Sequence, residues 1–150
     1  MSLEFSVEAY SDAIDEMRLL YPAHWAEVAH DTGTLPLDVN YERYLSLESA
    51  GMLHVAVARQ EGHLVGYHIF VVRAPQHYRS TVMAFSDATY LKPVCRKGFA
   101  GISFLRFAAD STRAAGAKGV YMSSTTRLPF GKILEWLGFA ETERIYYKGL

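Results

Sequence analysis

VMAFSDATYLKPVCRKGFAGISFLRFAA, residues 82–109, decides the reading of this chain. Val82 to Leu91 is apolar and β-rich, a short basic turn with glycine follows, and Ile102 to Ala109 is apolar at helical spacing. A strand that ends in such a turn and restarts as a helix gathers backbone N–H groups and the positive end of a helix dipole at one place. That is a ready site for phosphate.

Upstream, Leu3 to Val7 reads as a short edge strand. Ala13, Ile14, Met17, Leu20 and Tyr21 then recur at helical spacing behind the candidate cap Ser11. Pro22 is read as opening a second helical segment through Trp25, Val28 and Ala29, ended by Asp31-Thr-Gly-Thr and Pro36. Asn40 caps a short helix stopped by Gly51. Met52 to Arg59 and Leu64 to Arg73 form a hairpin around Gln60-Glu-Gly-His, and the strand Val82 to Leu91 extends it into an antiparallel meander. Downstream, Gly116 stops the long helix and Val120 to Ser123 is a strand parallel to Val82–Leu91. Phe130 to Leu137 is a helix stopped by Gly138, and Glu141 to Lys148, rich in Tyr and Ile, is a final strand.

The 150 residues, half of them hydrophobic, suit one domain, 1–150. Fifteen basic and 16 acidic residues leave a net charge of −1, which argues against a polyanionic partner such as nucleic acid. No apolar run is long enough for a membrane span, and Met1 to Tyr10 shows no export leader, so a cytoplasmic protein is expected. The single Cys95 forms no internal disulfide, and no histidine pair has ligand spacing, with His24 and His30 six apart, so no metal is expected.

The order strand, two helices, three antiparallel strands, basic turn, long helix, strand, helix, strand resembles the GNAT superfamily of acyl-CoA-dependent N-acetyltransferases over nearly the whole chain. Leu91-Lys-Pro-Val-Cys-Arg-Lys-Gly-Phe-Ala-Gly101 is similar to the superfamily's V-x-P-x-x-[QR]-x-x-G-x-[GA] segment, and Leu137-Gly-Phe139 to its LGF. His24-Trp25, His77-Tyr-Arg79, Asp87 to Tyr90 and Arg106-Phe107 look like proteins carried by tailed bacteriophages. The resemblance implies a mixed α+β fold, with a mostly antiparallel sheet of six to seven strands flanked by helices and splayed at an acetyl-CoA site. It implies that Cys95, Arg96, Lys97, Gly98, Phe99, Ala100 and Gly101 hold the CoA pyrophosphate. Thr89, Tyr90 and Leu91 would pair with the pantetheine arm as an added strand does. Phe99 departs from the pattern, standing where the first glycine is expected.

The chemistry implied is transfer of acetyl to a small-molecule or peptide amine, which needs a base for the ammonium and donors for the oxyanion. Asp87 is the candidate base, a charge inside an apolar strand, where period two places it with Phe85, Thr89 and Leu91. Pairing with a nearby His or Arg to order the cleft is the alternative role. His77 is a second catalytic candidate, and with His24 and His68 it titrates near neutrality beside the expected acceptor cleft. Trp25 and Tyr78 are candidates to line that pocket, with Trp25 equally read as core. Leu134 stands where many relatives carry a tyrosine acid; Tyr121, Tyr146 and Tyr147 are substitutes or packing residues. Cys95 has no base beside it and is not read as a nucleophile. Two further classes stay open, a CoA-binding module without catalysis and a phage accessory protein that acts by contact. The last strand, Arg144 to Lys148, could pair across a homodimer.

Overall fold

A computed structural model describes residues 2–150; Met1, where the stretch read for a leader begins, lies outside the described residues. The elements run β1 (Glu4–Val7), α1 (Tyr10–Val28), α2 (Tyr41–Ser49), β2 (Leu53–Gln60), β3 (His63–Arg73), β4 (Met83–Leu91), α3 (Ala100–Ser111), β5 (Val120–Tyr121) and α4 (Gly131–Trp136). The sheet has five strands in sequence order, β1 to β4 antiparallel and β5 parallel to β4. A two-residue turn links β2 and β3, with Glu61 at φ 52° and Gly62 at φ 82°, the left-handed pair that matches strand twist.

Alternation along the strands divides the core into two layers. Val55, Val57, Tyr67 and Ile69 pack under α1 with Tyr10, Met17 and Tyr21. Ala56, Phe70, Val72 and Ala84 pack under α3 with Phe104 and Ala108. Each large side chain removed from water in this way contributes about 1.5–3 kcal/mol. Arg59 of β2 ties the hairpin to α1, bonding Glu8 at 2.8 Å and Glu16 at 2.9 Å.

Four sequence expectations are corrected. Pro22 does not open a new segment: α1 runs through it to Val28, and the chain turns at Asp31, φ 49°. Ser11 does not cap α1, whose N-cap Ala9 has no side-chain bond; the Glu48 carboxylate of α2 instead accepts from the N–H groups of Tyr10 and Ser11. A carboxylate at the positive end of a helix is favourable, whichever part of the chain supplies it. The strand Val120 to Ser123 is shorter, Val120–Tyr121. Glu141 to Lys148 forms no strand, so the sheet has five strands rather than six or seven. β-propensity reports fit to a pleated surface and cannot supply the partner edge. Here Arg144 pairs locally with Glu141, Tyr147 bonds Asp31, and Ile145 and Tyr146 are exposed.

His68, central in β3, is fully buried, and burial pushes its pKa down to about 3. Below the unfolded value near 6.5, the unfolded chain binds a proton that the folded chain refuses. Stability is therefore full above that value and falls by roughly 1.4 kcal/mol per pH unit as pH drops toward the folded value. Urea unfolding of the wild type at about pH 7.5 and about pH 5.5 is expected to show this loss, and His68→Leu to show less of it by about that slope. In the intact protein the His68 ring is expected to show no NMR titration between pH 8 and 5; titration there would refute the buried neutral state.

Candidate active site

β5 stays with β4 for two pairs, Ala84 with Val120 and Phe85 with Tyr121, and then leaves it. From Ser86 to Leu91, roughly 17 Å of extended backbone, the outer edge of β4 faces a cleft of about 440 Å³ instead of a strand. α1 contributes His24 and Glu27 to its walls, the turn after β4 Gly98, α3 Gly101, Ile102 and Leu105, and the far side runs from Thr125 to Ile133. Such an edge offers unpaired N–H and C=O groups to an extended ligand.

On the other side of β4 the pairing slips: Ile69 faces Ala88 but Phe70 faces Ser86, leaving Asp87 as the extra residue of a β-bulge. The bulge shows in the packing too. Ala84 lies in the α3 layer, whereas Ala88 and Tyr90, of the same parity, pack in the α1 layer. The period-two placement of Asp87 with Thr89 and Leu91 is thereby corrected. Asp87 is exposed at the cleft, not enclosed in an apolar strand, and accepts a hydrogen bond from the Tyr44 hydroxyl of α2. Burial, and then the Asp87 carboxylate, push the Tyr44 pKa well above the usual phenol range, so Tyr44 stays a neutral donor. Its ring stacks on Tyr10 at 4.9 Å, and Tyr10 shares a 2.9 Å hydroxyl contact with Tyr21.

The basic turn has a specific shape. Pro93–Cys95 makes a single helical turn, Gly98 takes φ 61°, and Phe99 is the N-cap of α3 with φ −92°. Phe99 has no side-chain cap to offer, and the N–H groups of Gly101 and Ile102 meet no acceptor among the described residues. The Phe99 ring is 74% exposed, so it does not fill the turn; the left-handed step that needs glycine falls one residue earlier. A Cβ on Gly101 would meet nothing within 4 Å, and Ala100 follows Phe99 into the helix. Lys97 is exposed. Arg96 is committed elsewhere, donating from Nε to the Leu91 carbonyl at 2.6 Å and from Nη2 to Glu27 at 2.7 Å. Its charge joins the end of β4 to α1. Cys95 is buried, with Sγ 3.9 Å from Gln60 Oε1.

The histidines separate. His24 lines the cleft, its Nδ1 2.8 Å from the Tyr67 hydroxyl and its ring stacked on Tyr90 at 5.3 Å. Burial holds its pKa below the usual histidine value. His68 is sealed beneath α3, out of reach of an acceptor, with Nε2 2.8 Å from Ser86 Oγ. His77 and Tyr78 are exposed in the turn after β3, and neither lines the cleft; Trp25 is half-buried on α1 and does not line it either. Asp87, Thr89, Tyr90, Leu91 and His24 are thus brought together, while His68, His77, Trp25 and Tyr78 are not. Leu134 is core, Tyr121 stacks on Phe85 at 5.0 Å, and Tyr146 is exposed on the tail. Ser86 and Glu27, which line the cleft, and Tyr44, which reaches it through Asp87, are not singled out by period or motif; each is placed by a contact distant in sequence. Among the described residues no group of three or more His, Cys, Asp or Glu is placed to hold a metal.

No protein-family model and no curated sequence matches the chain. Solved structures do. A ribosomal-protein-alanine N-acetyltransferase from Brucella melitensis aligns over 100% of both chains at 16% identity and TM-score 0.71. An acetyltransferase from Trypanosoma brucei aligns over 99% of this chain and 100% of its own, at 19% and 0.69. AAC(6')-Iy, solved with the bisubstrate analogue CoA-S-monomethyl-acetylneamine, aligns over 100% and 99%, at 15% and 0.70. These likenesses define the fold as that of the GNAT acetyltransferases, a mixed α+β sheet flanked by helices. The similarity to bacteriophage-borne proteins finds no support in them.

Gly66 of β3 sits against the end of β4; a Cβ there would meet the Tyr90 carbonyl oxygen at 2.7 Å and Leu91 Cδ1 at 2.8 Å. Backbone cannot yield as a flexible side chain does, so Gly66→Ala is expected to destabilise by about 1–3 kcal/mol in urea unfolding. A neutral result would show that β4 is not pressed onto β3 at the cleft.

Proposed function

We propose that the chain is an N-acetyltransferase that moves acetyl from acetyl-CoA to a primary amine by direct attack in a ternary complex. One observation carries this reading: a single cleft joins the open edge of β4 to an uncapped helix N-terminus. An extended arm ending in phosphates needs both features at once. In this reading the N–H groups of Gly101 and Ile102 and the backbone of the turn from Cys95 to Gly101 hold the pyrophosphate. Lys97 adds charge, and Arg96 acts through its bond to Leu91 by fixing the turn against β4. Thr89, Tyr90 and Leu91 pair with the pantetheine arm, and the thioester reaches the bulge.

The amine nitrogen attacks the acyl carbon, forming C–N while the carbonyl pair moves to oxygen. The pair returns as C–S breaks, and CoA leaves as a thiolate. The ammonium proton passes to Asp87, directly or through a water, with Tyr44 holding the carboxylate in place. The acceptor class stays broad, a small-molecule or peptide amine. The structures sharing the fold include an N-acetyltransferase named for ribosomal-protein alanine and one holding an acetylneamine analogue.

A second reading, a CoA-binding module without catalysis, is favoured by Leu134, which places a buried aliphatic side chain where many relatives carry a tyrosine acid.

Calorimetric titration with acetyl-CoA is expected to give one site with a dissociation constant below about 1 mM, a free energy beyond about −4 kcal/mol. No heat at millimolar ligand would end both CoA readings. Gly101→Glu, whose side chain starts in open space in the first turn of a helix, where a carboxylate is favourable, is expected to fold at least as stably as the wild type while its charge weakens acetyl-CoA at least tenfold. Unchanged affinity would move the phosphates away from that turn. Asp87→Asn is expected to bind acetyl-CoA normally and to lose roughly 10²–10⁴-fold in kcat. Equal turnover would remove Asp87 as the base, and no thiol release from the wild type with any amine would leave the module reading.

A further inference from the structure

His68 Nε2 is 2.8 Å from Ser86 Oγ, while His68 Nδ1 is buried without a hydrogen-bond partner. A neutral imidazole carries one proton, and these two environments decide where it sits. On Nδ1 it would be a buried N–H with no acceptor, at a cost of about 1–3 kcal/mol. On Nε2 it is used, and only a lone pair is left bare, the smaller penalty. Nε2 therefore carries the proton and donates it to Ser86 Oγ. The serine oxygen is then the acceptor in that bond, so its own hydrogen must point elsewhere, and it meets no acceptor among the described residues.

Ser86 lines the cleft and is the first residue of β4 past the last pair with β5, Phe85 with Tyr121. The glycine turn lies at the opposite end of the open edge, beyond Leu91. A ligand whose phosphates occupy the turn therefore presents its far end, the acyl thioester, to Ser86. We propose that Ser86 is a hydrogen-bond donor aimed at the thioester carbonyl oxygen, with its direction fixed by the tautomer of the buried His68. This rests on the acyl-transfer reading for its ligand, though not for the donor assignment. The same tautomer excludes Ser86 as a nucleophile, because His68 Nε2 already bears a proton and cannot take another from the hydroxyl. No covalent acyl-serine forms; the hydroxyl keeps its hydrogen and stabilises the charge on the carbonyl oxygen as the amine attacks.

Two measurements test it separately. In ligand-free protein with ¹⁵N-labelled imidazoles, and His68 assigned through its loss in His68→Gln, the ring is expected to show a protonated Nε2 and a bare Nδ1 at neutral pH. A proton on Nδ1 overturns the donor assignment whatever the protein catalyses. With acetyl-CoA labelled at the carbonyl carbon, the infrared carbonyl band of the bound thioester is expected to lie below its free position in the wild type and in Ser86→Thr. In Ser86→Ala it is expected to return toward the free position, with a roughly 10²-fold loss in kcat and acetyl-CoA affinity weakened by no more than about tenfold. A band that ignores Ser86→Ala overturns the carbonyl as the target. Failure of acetyl-CoA to bind either protein overturns the acyl-transfer reading and that target together, and the ¹⁵N spectrum still decides whether Ser86 is a donor.

Discussion

The structure depends on one strand keeping a neighbour on one edge while losing it on the other. β4 pairs with β3 from Met83 to Leu91 but with β5 only at Ala84 and Phe85. A strand half released in this way presents a row of unpaired N–H and C=O groups on its free edge. What holds it lies on the paired side, where Gly66 lets the backbone at Tyr90 and Leu91 approach closely, and at its end, where Arg96 grips the Leu91 carbonyl and Glu27 together. The cleft exists because these contacts replace the missing strand.

The charged and polar groups around the cleft divide into those consumed by the fold and those left available. Arg96 of the turn is consumed, as is His68, and the hydroxyl of Tyr67 bonds His24. Lys97, Asp87, the hydroxyl hydrogen of Ser86 and the first amides of α3 are available. An anion at the turn would thus be held mainly by backbone dipoles. Such dipoles are fixed in the backbone, so binding there requires little reorganisation of the protein.

Much of this was legible in the chain. The hairpin turn at Glu61-Gly62, the cap at Asn40, the stops at Gly116 and Gly138 and the strand–turn–helix around Gly98 each have a local physical cause, and each stands where its residues say. Properties set by distant contacts were not legible. The bulge at Asp87 is a mismatch between two strands, invisible within either one, and it takes Thr89 and Leu91 off the face assigned to that residue. Glu48 caps a helix 37 residues away from Ser11, so the local candidate had to fail. The tail from Glu141 to Lys148 carries strand composition but meets no edge, and composition alone cannot supply one.

The attachment of α2 sets it apart from every other helix. None of its residues is fully buried, and two of its fastenings are polar, Glu48 on the start of α1 and Tyr44 on Asp87. Apart from Tyr41 stacked on Tyr21 and Tyr44 on Tyr10, little of it is withdrawn from water, so it opens at lower cost than the sheet behind it. The α2 side of Asp87 is therefore held by polar contacts and ring stacking, whereas the turn after β4 is anchored by the Arg96–Glu27 ion pair. Its amide protons should exchange with solvent by this local opening, long before those of β3.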